Sequence, residues 1–265
     1  NIMINASPWI QEDVFHSVMN YRFADSVFKF FIDKKDKISA EDFSKIINQI
    51  IDDYGFENIL KIQNLYGSHD TERIASSCVN PNRWIDHANN LNYNPEFKIR
   101  KPNSEEEELL LQLIAFQFMF PGTPYIYYGD EVGMWGADDP DCRKPMVWDE
   151  FKYENENIGP FGNKYDDNEV SVNYKIYKQY KSMIFLRKNY PQLRNGSFEI
   201  NYSSNGIFAF TRWFDDKGIV SIFNTNETSI SIPWKKLEIE QRSLNFLIGN
   251  NNLLPKHGYG IYEVN

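Results

Sequence analysis

The chain has 265 residues, of which 42% are hydrophobic, 25% charged and 16% aromatic, and its formal net charge is −9. These proportions are typical of a soluble globular protein with a sizeable core. The negative charge argues against nucleic acid or an anionic membrane surface as a partner. No apolar run approaches the roughly 18 residues that a membrane-spanning helix needs.

The sequence starts at Asn1, without an initiating methionine and without a basic stretch followed by an apolar run. No signal peptide is therefore expected, and we predict a piece of a longer cytoplasmic protein. The two cysteines, Cys78 and Cys142, are too few for a disulfide framework and lack metal-ligand spacing. Neither a metal nor a cofactor is expected.

Apolar residues at helical spacing predict a helix in residues 22–33 and a second one between Ser39 and Gly55. Ser39 followed by Asp42 resembles a capping box, and Gly55 is a candidate C-cap. The run NILKIQNLYG, residues 58–67, predicts a strand that ends at a His-Asp pair.

Residues 75–103 are polar and rich in Asn and Pro, which predicts a long surface loop with a short helix. The next segment, SEEEELLLQLIAFQFMF, predicts a strong helix with Ser104 as its cap. TPYIYYG, residues 123–129, predicts a strand. A second polar loop is expected over residues 130–173, before an amphipathic helix in residues 174–190.

Short β-like runs separated by turn signals begin after Gly196, and they predict a small antiparallel sandwich from about Phe198 to Val264. The alternation of strands and helices before Gly196 predicts a parallel sheet with crossover helices. Only about three such units are present, too few for a closed eight-stranded barrel. We therefore predict an α/β class, with an incomplete α/β domain in residues 1–196 and a β-domain in residues 197–265.

Polar residues follow two of the predicted strands at their carboxyl ends, where parallel α/β folds place function. The first group is GSHDTERI, with His69, Asp70 and Arg73. The second is Asp130 and Glu131, which should lie on the same rim. An aspartate beside a histidine suits stabilisation of positive charge in a transition state, with the histidine donating to a substrate hydroxyl.

Spacing alone leaves structural alternatives open for both groups. Asp70 could cap the next helix while His69 packs against its neighbours, and Asp130 and Glu131 could simply begin a loop. The acidic residues of DDPD could bind Ca²⁺, but without EF-hand spacing they favour a turn.

Three stretches, SPWIQEDVFHSVMNYRF, GSHDTERI and FPGTPYIYYGDEVGMWGADDPDCRKPMVWD, together resemble the C-terminal half of the α-amylase superfamily of glycoside hydrolases. Within it, the chain is most similar to the neopullulanase, cyclomaltodextrinase and maltogenic amylase branch. The resemblance implies the sixth to eighth strands and helices of a (β/α)8 TIM barrel, followed by a C-terminal β-domain.

The resemblance also implies roles for single residues. His69 and Asp70 match a catalytic motif that grips substrate hydroxyls and supports the distorted sugar. The positions expected to contact or brace the substrate-binding cleft are Tyr21, Arg73, Asp130, Glu131 and Arg143. Glu72 departs from the family pattern, which usually has proline there.

Two further departures concern the reaction itself. Retaining glycosidases need a carboxylate nucleophile and a second carboxyl group as acid/base. The family's nucleophile follows an Arg-x-Asp pattern that would precede Asn1, and Asn1 itself aligns with the acid/base glutamate. The resemblance therefore predicts part of a retaining hydrolase of α-1,4 or α-1,6 glucosidic bonds that is inactive alone.

The alternative is a non-catalytic carbohydrate-binding or scaffold fragment of the same fold. In either case the expected ligand is an α-glucan oligosaccharide or a cyclodextrin. The open strand edges of an incomplete barrel predict self-association or pairing with the missing N-terminal half.

Overall fold

The computed structural model describes residues 5–10, 13–83, 85, 89–237, 239 and 243–265. The predicted acid/base position, Asn1, lies outside the described residues. Among them, no helix combines the length and apolar character that crossing a membrane requires. The helices are α1 (Tyr21–Val27), α2 (Ala40–Tyr54), α3 (Phe56–Ile59), α4 (Ile74–Val79), α5 (Ser104–Met119), α6 (Tyr174–Asn189) and α7 (Gln192–Asn195).

The strands fall into a short parallel group and a larger antiparallel group. Strand β1 pairs in parallel with β2 on one side and with Met19 on the other. In chain order the strands are β1 (Gln63–Asn64), β2 (Thr123–Pro124), β3 (Glu156–Ile158), β4 (Lys164–Asn168), β5 (Glu199–Ser204), β6 (Ile207–Phe214), β7 (Lys217–Asn224), β8 (Ile230–Ser231), β9 (Leu244–Gly249), β10 (Leu253–Leu254) and β11 (Tyr259–Val264).

Helix boundaries follow local capping chemistry. The Ser39 hydroxyl accepts from the Asp42 backbone N–H at 3.0 Å, and Gly55 ends α2 with a φ of 75°, so both predicted ends are confirmed. The predicted cap of α5 was one residue late. Asn103 is the N-cap, and its backbone N–H donates to Glu106 at 2.8 Å in a capping box.

The two predicted parallel strands are much shorter than their apolar runs. Residues 58–62 continue in helical turns after Gly55, because Ile62 N–H donates to the Asn58 carbonyl at 3.0 Å. Only Gln63 and Asn64 then pair with β2. The strand-like composition of this run is overridden by the turn that follows α2.

The segment after the His-Asp motif is less exposed than predicted. All six residues of α4 are buried, including Cys78. Further along, Leu91, Phe97 and Ile99 are also buried. The polar residues between them form turns that return the chain to the core.

The chain after residue 196 forms a five-stranded antiparallel sheet in the order β5-β6-β7-β11-β9, and β8 pairs separately with β10. One face of the large sheet carries a small apolar cluster with Val220, Ile222 and Leu254. The other face shares the main core with the helices. Antiparallel strands were predicted here, whereas the separate sandwich domain stays a prediction.

Phenylalanine rings join the helices to the sheet. Phe116 of α5 lies 5.2 Å from Phe223 of β7, measured between ring centroids, and Phe43 of α2 lies 4.9 Å from Phe208 of β6. These side chains are fully buried. Each contributes apolar burial of roughly 1.5–3 kcal/mol as well as favourable ring contacts.

His257 lies where the sheet meets the start of α5, and it should make stability depend on pH. Burial, with a further contribution from Lys256, lowers its pKa to about 4, although Glu105 and Glu227 oppose this. The unfolded state therefore takes up a proton first as the pH falls below about 6.5. We expect the contribution of His257 to stability to fall by an amount on the order of 3 kcal/mol between pH 6.5 and 4.

The test is thermal unfolding of His257→Asn over that pH range, since asparagine tolerates the backbone φ of 57°. The variant should show a weaker pH dependence than the wild type. The exposed His16→Asn variant is the matched control. Equal slopes for the wild type and His257→Asn would contradict the prediction.

Candidate active site

Three chain segments end side by side at the carboxyl edge of the short parallel strands. Asn20 follows Met19, and its side-chain amide donates to Asn64 of β1 at 3.1 Å. Gln117 of α5 donates to the backbone oxygens of Asn64 and Tyr125 at 2.8 and 3.0 Å. These buried polar side chains fix the positions from which the loops of the site leave the sheet.

The loop after β1 is held by its own small polar side chains. Ser68 N–H donates to the Thr71 hydroxyl at 2.9 Å, and Asp70 N–H donates to the Ser68 hydroxyl at 3.1 Å. Ser68 and Thr71 are fully buried. The Ser68 hydroxyl also lies 3.3 Å from the Tyr21 hydroxyl, which ties Tyr21 to this loop.

His69 and Asp70 project from this loop as an exposed pair. His69 Nε2 lies 3.2 Å from Asp70 Oδ1, and both side chains are 59% exposed. Asp70 does not cap a helix, since Arg73 is the N-cap residue of α4. The exposure of both side chains does not fit the alternative in which His69 is packed away.

Arg143 approaches this pair from the loop after β2. Its Nε donates to the His69 carbonyl at 2.9 Å, and its Nη2 lies 3.7 Å from Asp70 Oδ1. The same Nε lies 3.2 Å from Asp139. A cation between two exposed carboxylates gives a polar surface that suits sugar hydroxyls, which both donate and accept hydrogen bonds.

Arg73 and Asp130 form a buried ion pair beneath this surface. Arg73 Nη1 lies 3.0 Å from Asp130 Oδ1 and donates to the Tyr128 carbonyl at 2.7 Å. The guanidinium also lies within 4.9 Å of the Tyr127 and Tyr128 ring centroids. Burial raises the pKa of Asp130 to about 7, while Arg73 opposes that rise.

Gly129 allows this close approach. Its φ of 88° is a left-handed conformation, and a Cβ there would lie 2.3 Å from Met134 Sδ and 3.2 Å from Arg73 Nη1. The Glu131 carboxylate turns back to accept from Gly129 N–H at 2.7 Å. The turn after β2 is therefore shaped to hold the guanidinium.

The structure thus divides the predicted site residues into two groups. His69, Asp70 and Arg143 come together at the surface, with Tyr21 beside them through Ser68. Arg73 and Asp130 lie on the same rim, but their side chains are 0% and 4% exposed. This burial does not support a direct contact with substrate and favours a bracing role for both.

Sequence reasoning missed the part played by two side chains. Asp139 pairs with Arg143 four residues later, and the i, i+4 spacing within DPDCR was the available signal. Tyr128 donates its hydroxyl to the Lys144 carbonyl at 2.6 Å and thereby holds the same loop. The remaining acids of DDPD bind the protein itself, since Asp141 accepts from Ala137 N–H at 2.7 Å.

Comparison with known proteins defines the family. The α-amylase catalytic domain matches residues 3–196. Cyclomaltodextrinase from Thermoanaerobacter pseudethanolicus is 35% identical over 223 residues, which cover 84% of this chain and 31% of that protein. Neopullulanase 2 from Thermoactinomyces vulgaris is 33% identical over 223 residues, which cover 83% of this chain and 30% of that protein.

A solved maltogenic amylase from S. marinus superposes with a TM-score of 0.68 at 24% identity, over 97% of this chain and 30% of that one. This chain belongs to the α-amylase family, and the resemblance found in its sequence is confirmed. Residues 3–196 match the α-amylase catalytic domain, and the structural neighbours of the chain have the TIM-barrel fold. The chain spans about a third of the length of these relatives.

We expect the Arg73–Asp130 pair to be needed for stability. Asp130→Asn keeps the shape of the side chain but leaves a buried guanidinium without its counter-charge, which should cost about 3–5 kcal/mol. The measurement is urea-induced unfolding at a pH well above the Asp130 pKa of about 7, where the carboxylate is charged.

The matched control is Glu108→Gln, which breaks the exposed Lys175–Glu108 pair. That change should cost less than about 1 kcal/mol. A comparable small loss in both variants would show that the buried pair does not brace the site.

Proposed function

We propose that this chain supplies the substrate-gripping part of a retaining α-glucan hydrolase that cleaves α-1,4 or α-1,6 glucosidic bonds. The observation that carries this proposal is the exposed His69–Asp70 pair with Arg143 beside it. It lies within the segment that the family matches. The names of the cyclomaltodextrinase and neopullulanase relatives support an α-glucan or cyclodextrin as the ligand.

In this proposal the pair acts on the sugar without attacking it. The Asp70 carboxylate accepts hydrogen bonds from sugar hydroxyls and favours the positive charge of an oxocarbenium-like transition state. His69 Nε2 faces Asp70, so the other ring nitrogen of His69 is the one that contacts a sugar hydroxyl. Arg143 holds the His69 carbonyl and approaches Asp70, so that both groups keep their positions during binding.

The nucleophile and the acid/base are not assigned to this chain. Retaining cleavage needs two carboxyl groups about 5 Å apart, one as nucleophile and one as proton donor. The 265 residues contain no Arg-x-Asp tripeptide, the pattern that the family resemblance associates with the nucleophile. We infer that the chain binds substrate but does not complete the reaction on its own.

We propose that the chain pairs with a complementary barrel half or with another copy, and the strand arrangement supports this. Within the described part of the chain, Met19 and β2 each pair with β1 and have no strand on their other side. Unpaired strand edges favour association with another strand.

We propose a cytoplasmic setting, as suggested by the relative named intracellular maltogenic amylase from Bacillus subtilis.

A non-catalytic carbohydrate-binding fragment is the second candidate. It is favoured by the same exposed pair, because sugar binding needs only His69, Asp70 and Arg143. The two candidates differ in whether a complementary polypeptide restores hydrolysis.

The first test is sugar binding by isothermal titration calorimetry with maltotriose. Asp70→Asn should weaken binding by about tenfold, because a charge-assisted hydrogen bond to a hydroxyl contributes roughly 1.5 kcal/mol or more. Asp166→Asn, an exposed acid on β4, is the control and should bind like the wild type. Equal binding by all three proteins would refute the assignment of Asp70.

The second test is a reducing-sugar assay on the purified chain with starch, pullulan and β-cyclodextrin. We expect no turnover, because without a nucleophilic carboxylate no glycosyl-enzyme forms. Asp70→Asn serves as the control for contaminating hydrolases. Turnover that disappears in Asp70→Asn would mean that the chain contains a complete active site.

A further inference from the structure

A cavity lies between the loop after β2 and the β3–β4 hairpin. Its volume is about 510 Å³, within the range of roughly 300–1,000 Å³ that small-molecule sites occupy. We call it the hairpin cavity. It is lined chiefly by Trp135, Lys144, Val147, Tyr153, Glu156 and Ile158.

One side of the hairpin cavity is apolar. Val147 belongs to a small buried cluster with Val132 and Met134, and Tyr153 packs against that cluster. Trp135 is only 5% exposed, and in the described part of the chain its indole N–H has no acceptor. The Lys144 ammonium lies over the Trp135 ring, 6.0 Å from its centroid, so this wall offers a ligand apolar contact with Val147 and Tyr153 and an unused indole donor rather than an open ring face.

The other side is polar and held in place by the hairpin. The Lys144 ammonium forms an ion pair with Glu156, which also accepts from the Tyr165 hydroxyl. Asn155 and Asn157 both donate their side-chain amides to Asp167, at 2.6 and 3.1 Å. With those N–H groups engaged, the amide oxygens are the ends that can accept hydrogen bonds from a ligand.

This cavity is separate from the His69–Asp70 site although one loop serves both. Arg143 reaches His69 and Asp70, whereas the next residue, Lys144, reaches Glu156 in the cavity wall. Arg143 ends a short 3-10 helix and Lys144 continues with an extended backbone, so the two neighbouring side chains leave the loop at a change of backbone conformation. None of the residues assigned above to gripping substrate lines the hairpin cavity.

We propose that the hairpin cavity is an accessory binding site for an α-glucan segment, occupied independently of the candidate active site. The choice of ligand class rests on the proposed function. Two exposed aromatic residues, Trp148 and Phe151, lie along the chain between Val147 and Tyr153 and extend the surface available to a longer glucan. The occupant would be held by apolar contact with Val147 and Tyr153 and by hydroxyl contacts to the hairpin.

The test is a titration of the ¹⁵N-labelled chain with maltotriose, followed through the indole N–H resonances of its six tryptophans. Trp135→Phe assigns the Trp135 signal. We expect this signal to shift saturably with maltotriose and not with an equal concentration of glycerol. No shift of the Trp135 signal at saturating maltotriose would overturn the proposal.

A variant in the cavity wall and a matched control test whether maltotriose binds in this cavity. Ile158→Arg places a long charged side chain at the cavity wall and should weaken the Trp135 response at least about tenfold, because apolar contact area and hydroxyl contacts are lost together. Leu253→Arg, equally exposed on β10, is the matched control and should leave the response unchanged. An undiminished response in Ile158→Arg would contradict binding in this cavity.

Asp70→Asn should leave the Trp135 response intact while maltotriose binding at the candidate active site is weakened. Loss of the Trp135 response in Asp70→Asn would show a single site and overturn the accessory site. Asp70→Asn could also show a full Trp135 response while binding maltotriose at the candidate active site as tightly as the wild type does. That result would refute the proposed function and support the accessory site.

Discussion

Helix α5 connects the hydrophobic core to the functional edge of the protein, and the rest of the structure depends on its packing. Phe116 lies between aromatic rings of the helical part and those of the antiparallel sheet, with ring centroids 5.9 Å from Phe23 and 5.2 Å from Phe223. The next residue, Gln117, donates to the strand ends at Asn64 and Tyr125. One helix therefore fixes both the core and the base of the site.

The same helix joins the sheet through a second buried amide. Gln112 donates to the carbonyls of Asn224 and Gly258 at 2.8 and 2.9 Å. Buried amides of this kind are costly unless they are hydrogen-bonded, so their partners must keep their positions. The antiparallel sheet is thus tied to the helices by directional bonds as well as by aromatic burial.

The site is built in two layers with different physical demands. The buried Arg73–Asp130 pair is shielded from water, where an ion pair is strong only when its geometry is fixed. The His69–Asp70 pair is solvent-exposed and open to a ligand. Arg143 and Lys144 extend the site in two directions, one toward this pair and the other toward the hairpin cavity. The loop after β2 is therefore the element that organises both binding surfaces.

The sequence by itself determined the long helices α2, α5 and α6, the family and the identity of the exposed motif. The periodicity of α2, the acidic start of α5 and the stretch GSHDTERI are local signals that one segment carries alone. Only the tertiary structure decided that Arg73 and Asp130 are buried, because that depends on Tyr127, Tyr128 and Met134 closing over them from another loop. It also decided that the apolar run in residues 58–67 yields a strand of two residues, since strand length is set by the partner available for pairing.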